Sequence, residues 1–240
     1  MDHNTSLEPN LQRRGFLQSG AVLGSALLLG SLATTASADD KMAKAETDFW
    51  EVIKTRRSVR KFLPNPVPDA DLTKMIDMAR LAATSGNQQP WKFLVIRDAE
   101  KINQLKEATV KTNAAAHFDS RPDKAVTREE MENGIRKRMA GYFSAPAYII
   151  VLTDNRAQYA DYNHWDGPLA AGNLMLAARA LGYGTVFITD VIPDRVTKDV
   201  FHIPDHYTRV CITPVGVPVA WPDSPPKKKL EEFIAWETID

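Results

Sequence analysis

The chain has 240 residues, 44% hydrophobic and 25% charged, the composition of one globular domain with room for a small excursion. Its 30 basic side chains balance 30 acidic ones, so the formal net charge is zero and nucleic-acid binding through the overall field is excluded. The single cysteine, Cys211, excludes an intramolecular disulfide; in the apolar run Val210-Cys211-Ile212 it reads as a small buried hydrophobe.

Residues 1–38 stand apart from the fold. Arg13-Arg14-Gly15-Phe16-Leu17 precedes an uncharged run from Ser19 to Ala38, and Ala36-Ser37-Ala38 has the small-x-small form of a cleavage site. The paired arginines resemble a twin-arginine (Tat) export signal. The run is rich in Gly, Ser, Thr and Ala, which makes it a weak spanning helix rather than an anchor. The expectation is a leader cleaved near Ala38, a polar linker over 39–47 and a mature domain over 48–240. The Tat translocase would carry the chain, already folded around a non-covalent cofactor, to the periplasm.

The mature chain opens with a helix over 48–54, capped by Asp48 with Glu51 three residues on and with Phe49, Val52 and Ile53 on one face. It delivers Thr55-Arg56-Arg57-Ser58-Val59-Arg60. Three guanidinium groups so close repel one another unless an anion or water lies between them, and guanidinium matches a phosphate fork. The stretch therefore reads as a clamp for a phosphorylated small molecule or as a solvated basic turn. Pro64, Pro66 and Pro68 forbid a helix next, and Asp69 is placed to cap a second one, with Leu72, Met75, Ile76 and Ala79 repeating at helical spacing.

That helix runs into Thr84-Ser85-Gly86-Asn87-Gln88-Gln89-Pro90-Trp91 and then the strand 93–96. Gly86 permits close backbone approach, and Asn87 and Gln89 each offer a donor and an acceptor, suited to a ring edge of alternating N–H and C=O. A helix is expected over 100–111, irregular chain over 112–126, and a third long helix to about Gly141, started by the capping box Thr127-x-x-Glu130. Charged on its other faces, it reads as part of a peripheral excursion over 112–146. The apolar run 147–153 reads as a buried strand. A helix from Pro168 to Leu181, apolar nearly all round, belongs in a core or a subunit interface. Strands at 185–188 and 207–215, a short helix at 193–201, the run Lys227-Lys228-Lys229 and an amphipathic segment at 230–236 complete the chain. His202 and His206 are separated by Pro204, so no metal site is read from them, and the tryptophans read as packing residues.

Four stretches in order resemble the nitroreductase family of FMN-dependent oxidoreductases: Arg56-Arg57-Ser58-Val59-Arg60, Ser85-Gly86-Asn87-Gln88-Gln89-Pro90-Trp91, Asn173 through Thr185, and Pro214-Val215-Gly216-Val217-Pro218 followed by the segment from Lys227 to Glu232. The resemblance implies an α+β, three-layer α/β/α fold with a central, mostly antiparallel sheet, and an intertwined homodimer with each flavin touched by both subunits. It implies that Arg56 and Arg60 hold the FMN phosphate and that Arg57 and Ser58 contact the ribityl chain or ring edge. Lys227 and Lys228 would close the phosphate pocket. Asn87 would hydrogen-bond the ring with Ser85 and Gly86 packed close and Gln89 alongside, and Gly184 and Thr185 would offer backbone N–H groups. Ala83-Thr84 stands where the family often has Pro-Ser. The flavin would carry the chemistry, two electrons passing from NAD(P)H or another carrier to a nitroaromatic, quinone-like or related small aromatic acceptor in a ping-pong cycle. A reductive dehalogenase or flavin-fragmenting relative, and a non-catalytic exported flavin-binding protein, are the competing readings.

Overall fold

The computed structural model describes residues 49–120 and 126–239, so the expected leader, the linker and the Asp48 cap lie outside the described residues. Among the described residues, four strands form one sheet in the order β1-β2-β4-β3: β1 Trp91–Ile96, β2 Ala147–Asp154, β3 Gly184–Thr185 and β4 Tyr207–Gly216. All three ladders are antiparallel, running from Trp91↔Thr153 to Ile96↔Tyr148, from Ala147↔Val215 to Asp154↔Tyr207, and through Thr185↔Val215.

The sheet is the middle of three layers because β2 is apolar on both faces. Tyr148, Ile150 and Leu152 point one way, into a core with Ile102, Leu105 and Val196. Ala147, Ile149 and Val151 point the other way, onto Leu72, Met75, Ala171 and Leu174. This is the period-2 alternation of a strand, each fully buried aliphatic side chain contributing about 1.5–3 kcal/mol. The helices on the first face are α3, Ala99–Asp119, and α6, Asp194–Phe201; those on the second are α2, Asp69–Ala79, and α5, Asn163–Ala180. The three-layer, mostly antiparallel architecture is the expected one. Helix α1 is Phe49–Thr55 and α4 is Arg128–Met139.

Several local expectations are corrected. Helix α3 continues to Asp119 where irregular chain was expected, because Val110 and Ala114 pack with Met131, Ile135 and Met139 of α4 in a small core of their own. The Thr127–Glu130 capping box is present, with N–H donations of 3.2 Å to Thr127 Oγ1 and 2.8 Å to Glu130 Oε2. Helix α5 begins at Asn163, so Pro168 lies inside its second turn rather than at its start. Asp69 caps nothing: its side chain pairs with Arg97, and Pro68 precedes the helix. The strand expected over 185–188 is broken after Thr185, and Ile188 rejoins β4 through a bridge to Ile212. Trp165 and Trp236, read as packing residues, are exposed on this single chain.

Candidate cofactor site

Leaving α1, the chain is laid along β3. Ser58 bridges Thr185 in parallel, Val59 N–H donates to the Thr185 carbonyl at 2.9 Å, and Leu63 N–H donates to the Val217 carbonyl at 2.8 Å. Val59 and Phe62 enter the core. Alternation in extended chain then places Arg56, Ser58 and Arg60 on the face opposite Val59. Arg57 falls outside that set. Its Nη1 donates to the carbonyls of Lys54 at 2.7 Å and Arg56 at 2.8 Å, so it caps the C-terminal end of α1. Its Nε is buried without a partner.

The electrostatics favour an anion here. Arg80, Arg97, Arg128, Arg136, Arg156, Arg195 and Arg209 each have a carboxylate within salt-bridge distance. Among the described residues, Arg56, Arg57, Arg60 and Arg138 have none, and the first three lie within five consecutive positions. Arg179, on the last turn of α5, also lacks one. Its Nε donates to Thr55 Oγ1 at 3.0 Å and its guanidinium lies 4.3 Å from the centre of the Trp221 ring. Burial lowers its pKa, Glu51 opposes that shift and nearby Arg57 adds to it. A dianionic phosphate would relieve this concentration of unpaired charge, so the residues present fit the phosphate of a flavin mononucleotide.

Gly184 and Thr185 lie inside the sheet, and Gly184 is there for space: a Cβ on it would stand 2.7 Å from Val59 Cβ and 2.9 Å from Pro218 Cγ. Past the end of β3 the chain opens. Phe187 and Thr189 line a cavity of about 540 Å³ with Asn163, His164, Pro168 and Arg209. The Arg209 side chain is 5% exposed. It donates to the Thr189 carbonyl at 2.7 Å and to Thr197 Oγ1 at 3.0 Å, a fixed positive charge at the cavity wall that sequence reading missed.

The C-terminal segment joins the arginine stretch at its root. Phe62 bridges Pro218, and Val219 N–H donates to the Lys61 carbonyl at 3.1 Å. Lys227 and Lys228 lie beyond Trp221 and are exposed, with Lys228 Nζ 3.9 Å from Glu232 Oε2. A single chain therefore brings together the base of that segment and the arginines, but leaves the two lysines in solvent.

The excursion, expected to be peripheral, reaches the arginine stretch. The Arg60 guanidinium lies 5.6 Å from the centre of the Tyr142 ring, and a Cβ on Gly141 would stand 2.7 Å from the Arg60 carbonyl oxygen. Asn113 of α3 donates to the Val191 carbonyl at 2.9 Å, two residues beyond Thr189.

The amide turn is anchored elsewhere, on the first turns of α5. Asp166, nearly fully buried, accepts from Ser85 N–H at 3.2 Å and from Gln88 Nε2 at 2.8 Å. Gln88 Nε2 also donates to the Tyr159 carbonyl at 3.0 Å, and Gln88 Oε1 accepts from Tyr159 N–H at 2.8 Å. Gly86, Asn87 and Gln89 have φ of 55°, 54° and 49°, the left-handed region that costs a non-glycine residue about 1–2 kcal/mol. Asn87 and Gln89 are exposed, and Gln89 Nε2 donates to Asn87 Oδ1 at 3.1 Å. Sequence reading missed Gln88, Asp166 and Tyr159; a buried acid early in α5 was the available signal. Asp166 and Arg179 mark opposite ends of α5, about 20 Å apart at the helical rise. Within one chain the amide turn meets the first turns of α5, whereas Thr55, at the head of the arginine stretch, meets its last turn.

An α/β/α protein with an antiparallel sheet, unpaired arginines beside β3 and a strained amide turn is built to hold a phosphorylated planar cofactor. Residues 53–217 match the family described as "Nitroreductase family", and the chain belongs to it. It is 28% identical to the 4-nitrobenzoate reductase of Pseudomonas putida over 205 residues, 73% of this chain and 87% of that one. It is also 28% identical to the iodotyrosine deiodinase of Thermotoga neapolitana over 188 residues, 78% of this chain and 95% of that one. A solved structure of oxidized iodotyrosine deiodinase bound to FMN and 3-iodo-L-tyrosine superposes with a TM-score of 0.61 at 25% identity, covering 80% of this chain and 99% of that one.

Proposed function

We propose that this FMN-dependent oxidoreductase of the nitroreductase family reduces a small aromatic acceptor by two electrons, in a cycle where donor and acceptor use the same site in turn. The observation that carries the reading is the stretch fastened to Thr185 through Ser58 and Val59, whose outward-facing Arg56 and Arg60 have no carboxylate partner among the described residues. When bound, FMN supplies the reversible uptake and release of hydride at its N5. The chain supplies the rest. Arg56 and Ser58 hold phosphate oxygens, Arg60 places positive charge beside the flavin, and the Asn87 and Gln89 amides meet the ring edge. The buried sheet edge keeps water from one face. The 4-nitrobenzoate for which one relative is named and the 3-iodo-L-tyrosine bound to another are aromatic compounds that carry a carboxylate, which favours an acceptor of that kind.

The working unit we propose is a homodimer. The amide turn and the arginines of one chain lie at opposite ends of α5, and a two-fold partner lets the turn of one chain serve the flavin held by the other. The α5 surface bearing Trp165 and Leu169, the α1 side chains Phe49, Trp50 and Ile53, and the arm bearing Phe233 and Trp236 are exposed on one chain, as an interface requires. In such a dimer Lys227 and Lys228 reach a phosphate pocket across the interface.

The leader carries a separate proposal: Arg13-Arg14-Gly15-Phe16-Leu17 and the run to Ala38 direct Tat export, and a periplasmic or membrane carrier then replaces NAD(P)H as donor. Fusing residues 1–45 to a reporter that functions only when exported folded, with Arg13→Lys and Arg14→Lys as the control, tests it. Equal export of both fusions rejects it.

Stopped-flow reduction of the yellow purified protein by a panel of donors, followed anaerobically by acceptors, tests the activity. A flavoprotein that takes electrons and passes none to any aromatic acceptor would favour the binding-protein reading instead.

A further inference from the structure

We propose that Gln88 and Asp166 are positioning residues for the flavin, acting through the backbone of the turn between them. This rests on the reading that the turn at 84–90 faces a flavin. Gln88 sits between two left-handed residues, Asn87 and Gln89, whose amides reach solvent while the Gln88 amide is turned inward. The inward amide is used at both ends: its nitrogen donates to Asp166 Oδ2 at 2.8 Å and the Tyr159 carbonyl at 3.0 Å, and its oxygen accepts from Tyr159 N–H at 2.8 Å. A weaker 3.4 Å contact reaches Asn163 Oδ1. Asp166 grips the other end of the turn through Ser85 N–H, and Tyr159 closes over Gly86, where a side chain would run into its ring.

Left-handed backbone at two neighbouring non-glycine positions persists only where the surroundings over-determine it. Here the only side chain between the two strained residues is the one bound on all sides. Without its grip, Asn87 and Gln89 can relax to right-handed backbone, and their amides no longer share one direction. Gln88 thus sets the orientation of the groups that meet the ring edge without touching the ring itself. The complementarity is specific: the site needs a donor facing Asp166 and an acceptor facing Tyr159 N–H, which an amide supplies and a carboxylate does not.

The test compares wild type with Gln88→Ala, Gln88→Glu, Asp166→Asn and the double variant Gln88→Glu/Asp166→Asn. Apoprotein is titrated with FMN, and the flavin midpoint potential is measured, well below each variant's unfolding temperature. Gln88→Ala and Gln88→Glu are expected to weaken FMN binding about tenfold or more and to shift the potential. The Gln88→Glu effect should grow as pH rises and its carboxylate ionises against Asp166. The double variant restores a donor facing an acceptor at position 166 but leaves a carboxylate oxygen against the Tyr159 carbonyl, so it is expected to recover part of the affinity lost in Gln88→Glu and to weaken its pH dependence. FMN affinity within twofold of wild type and an unchanged potential in both Gln88 variants, with only the unfolding temperature lowered, overturns the proposal. So does a double variant that, while still folded, binds FMN no better than Gln88→Glu alone. If wild type takes up no FMN, the cofactor reading itself fails. If Asn87→Ala weakens FMN while the Gln88 variants do not, the turn faces the flavin but Gln88 does not position it.

Discussion

Val59 N–H donates to the Thr185 carbonyl at 2.9 Å, and this bond fastens the arginine stretch to the sheet. It joins residues more than a hundred positions apart in sequence and turns a basic segment after a short helix into the edge of a structured pocket. The alternation it imposes separates the arginines, with Arg56 and Arg60 facing outward and Arg57 committed to the end of α1.

Replacing Arg56 or Arg60 by Ala is expected to weaken FMN binding roughly 10- to 100-fold each, the loss of one charge-assisted hydrogen bond of about 1.5–3 kcal/mol. Arg57→Ala is expected to lower thermal stability more than it lowers affinity. Fluorescence titration of apoprotein with FMN, beside thermal unfolding of the same variants, separates the two effects.

Gly184→Ala places a methyl group 2.7 Å from Val59 Cβ. The neighbour is the strand-like arginine stretch, not the end of a flexible side chain, so that stretch must shift. The expected cost is about 1–3 kcal/mol in urea unfolding, together with loss of flavin. Unchanged stability and full flavin content would show that the stretch is less firmly seated than the hydrogen bonds indicate.

Deleting residues 222–240 removes Leu230, Phe233, Ile234 and Trp236, which are exposed on a single chain, together with Lys227 and Lys228. The truncated protein is expected to sediment as a monomer at concentrations where the full chain is dimeric, and to lose FMN on gel filtration. Charge reversal at Lys227 and Lys228 in the full chain should weaken FMN binding while leaving the dimer intact.

Burial pushes the Cys211 thiol up to about 12. Its ordinary value is 9.0, so the folded state holds this proton more tightly than the unfolded state. The associated stability is fully present below about pH 9 and is lost progressively as pH rises toward 12. A thiol reagent at pH 8 is expected to leave native protein unlabelled and to label one site per chain once it is unfolded.

The layers of the fold were legible in the sequence. The apolar run at 147–153 announced a strand buried on both faces, helical spacing at Leu72, Met75 and Ala79 announced the helix below it, and the Thr127–Glu130 box set the start of α4. These are local patterns, fixed by the period of the backbone and by the groups free at helix ends. The arginine stretch and amide turn were also visible, because their residue types are unusual at that density.

Other features depended on contacts between distant residues. Helix α3 runs past Lys111 because Val110 and Ala114 find Met131, Ile135 and Met139 across a hairpin, a partner no local pattern reveals. Thr185, where the strand breaks, is held between Val215 of β4 and the incoming Ser58, two partners remote from it in sequence. Sequence reading singled out Gln89 and gave Gln88 no role, whereas the fold binds Gln88 to Asp166 and Tyr159 and leaves Gln89 outside. By itself the sequence determined which chemistry is present: clustered guanidinium groups, amides and apolar strands. Only the tertiary structure decided which arginine faces outward, which amide faces inward and which end of α5 each approaches, because hydrogen-bond geometry between remote segments exists only once the chain has folded.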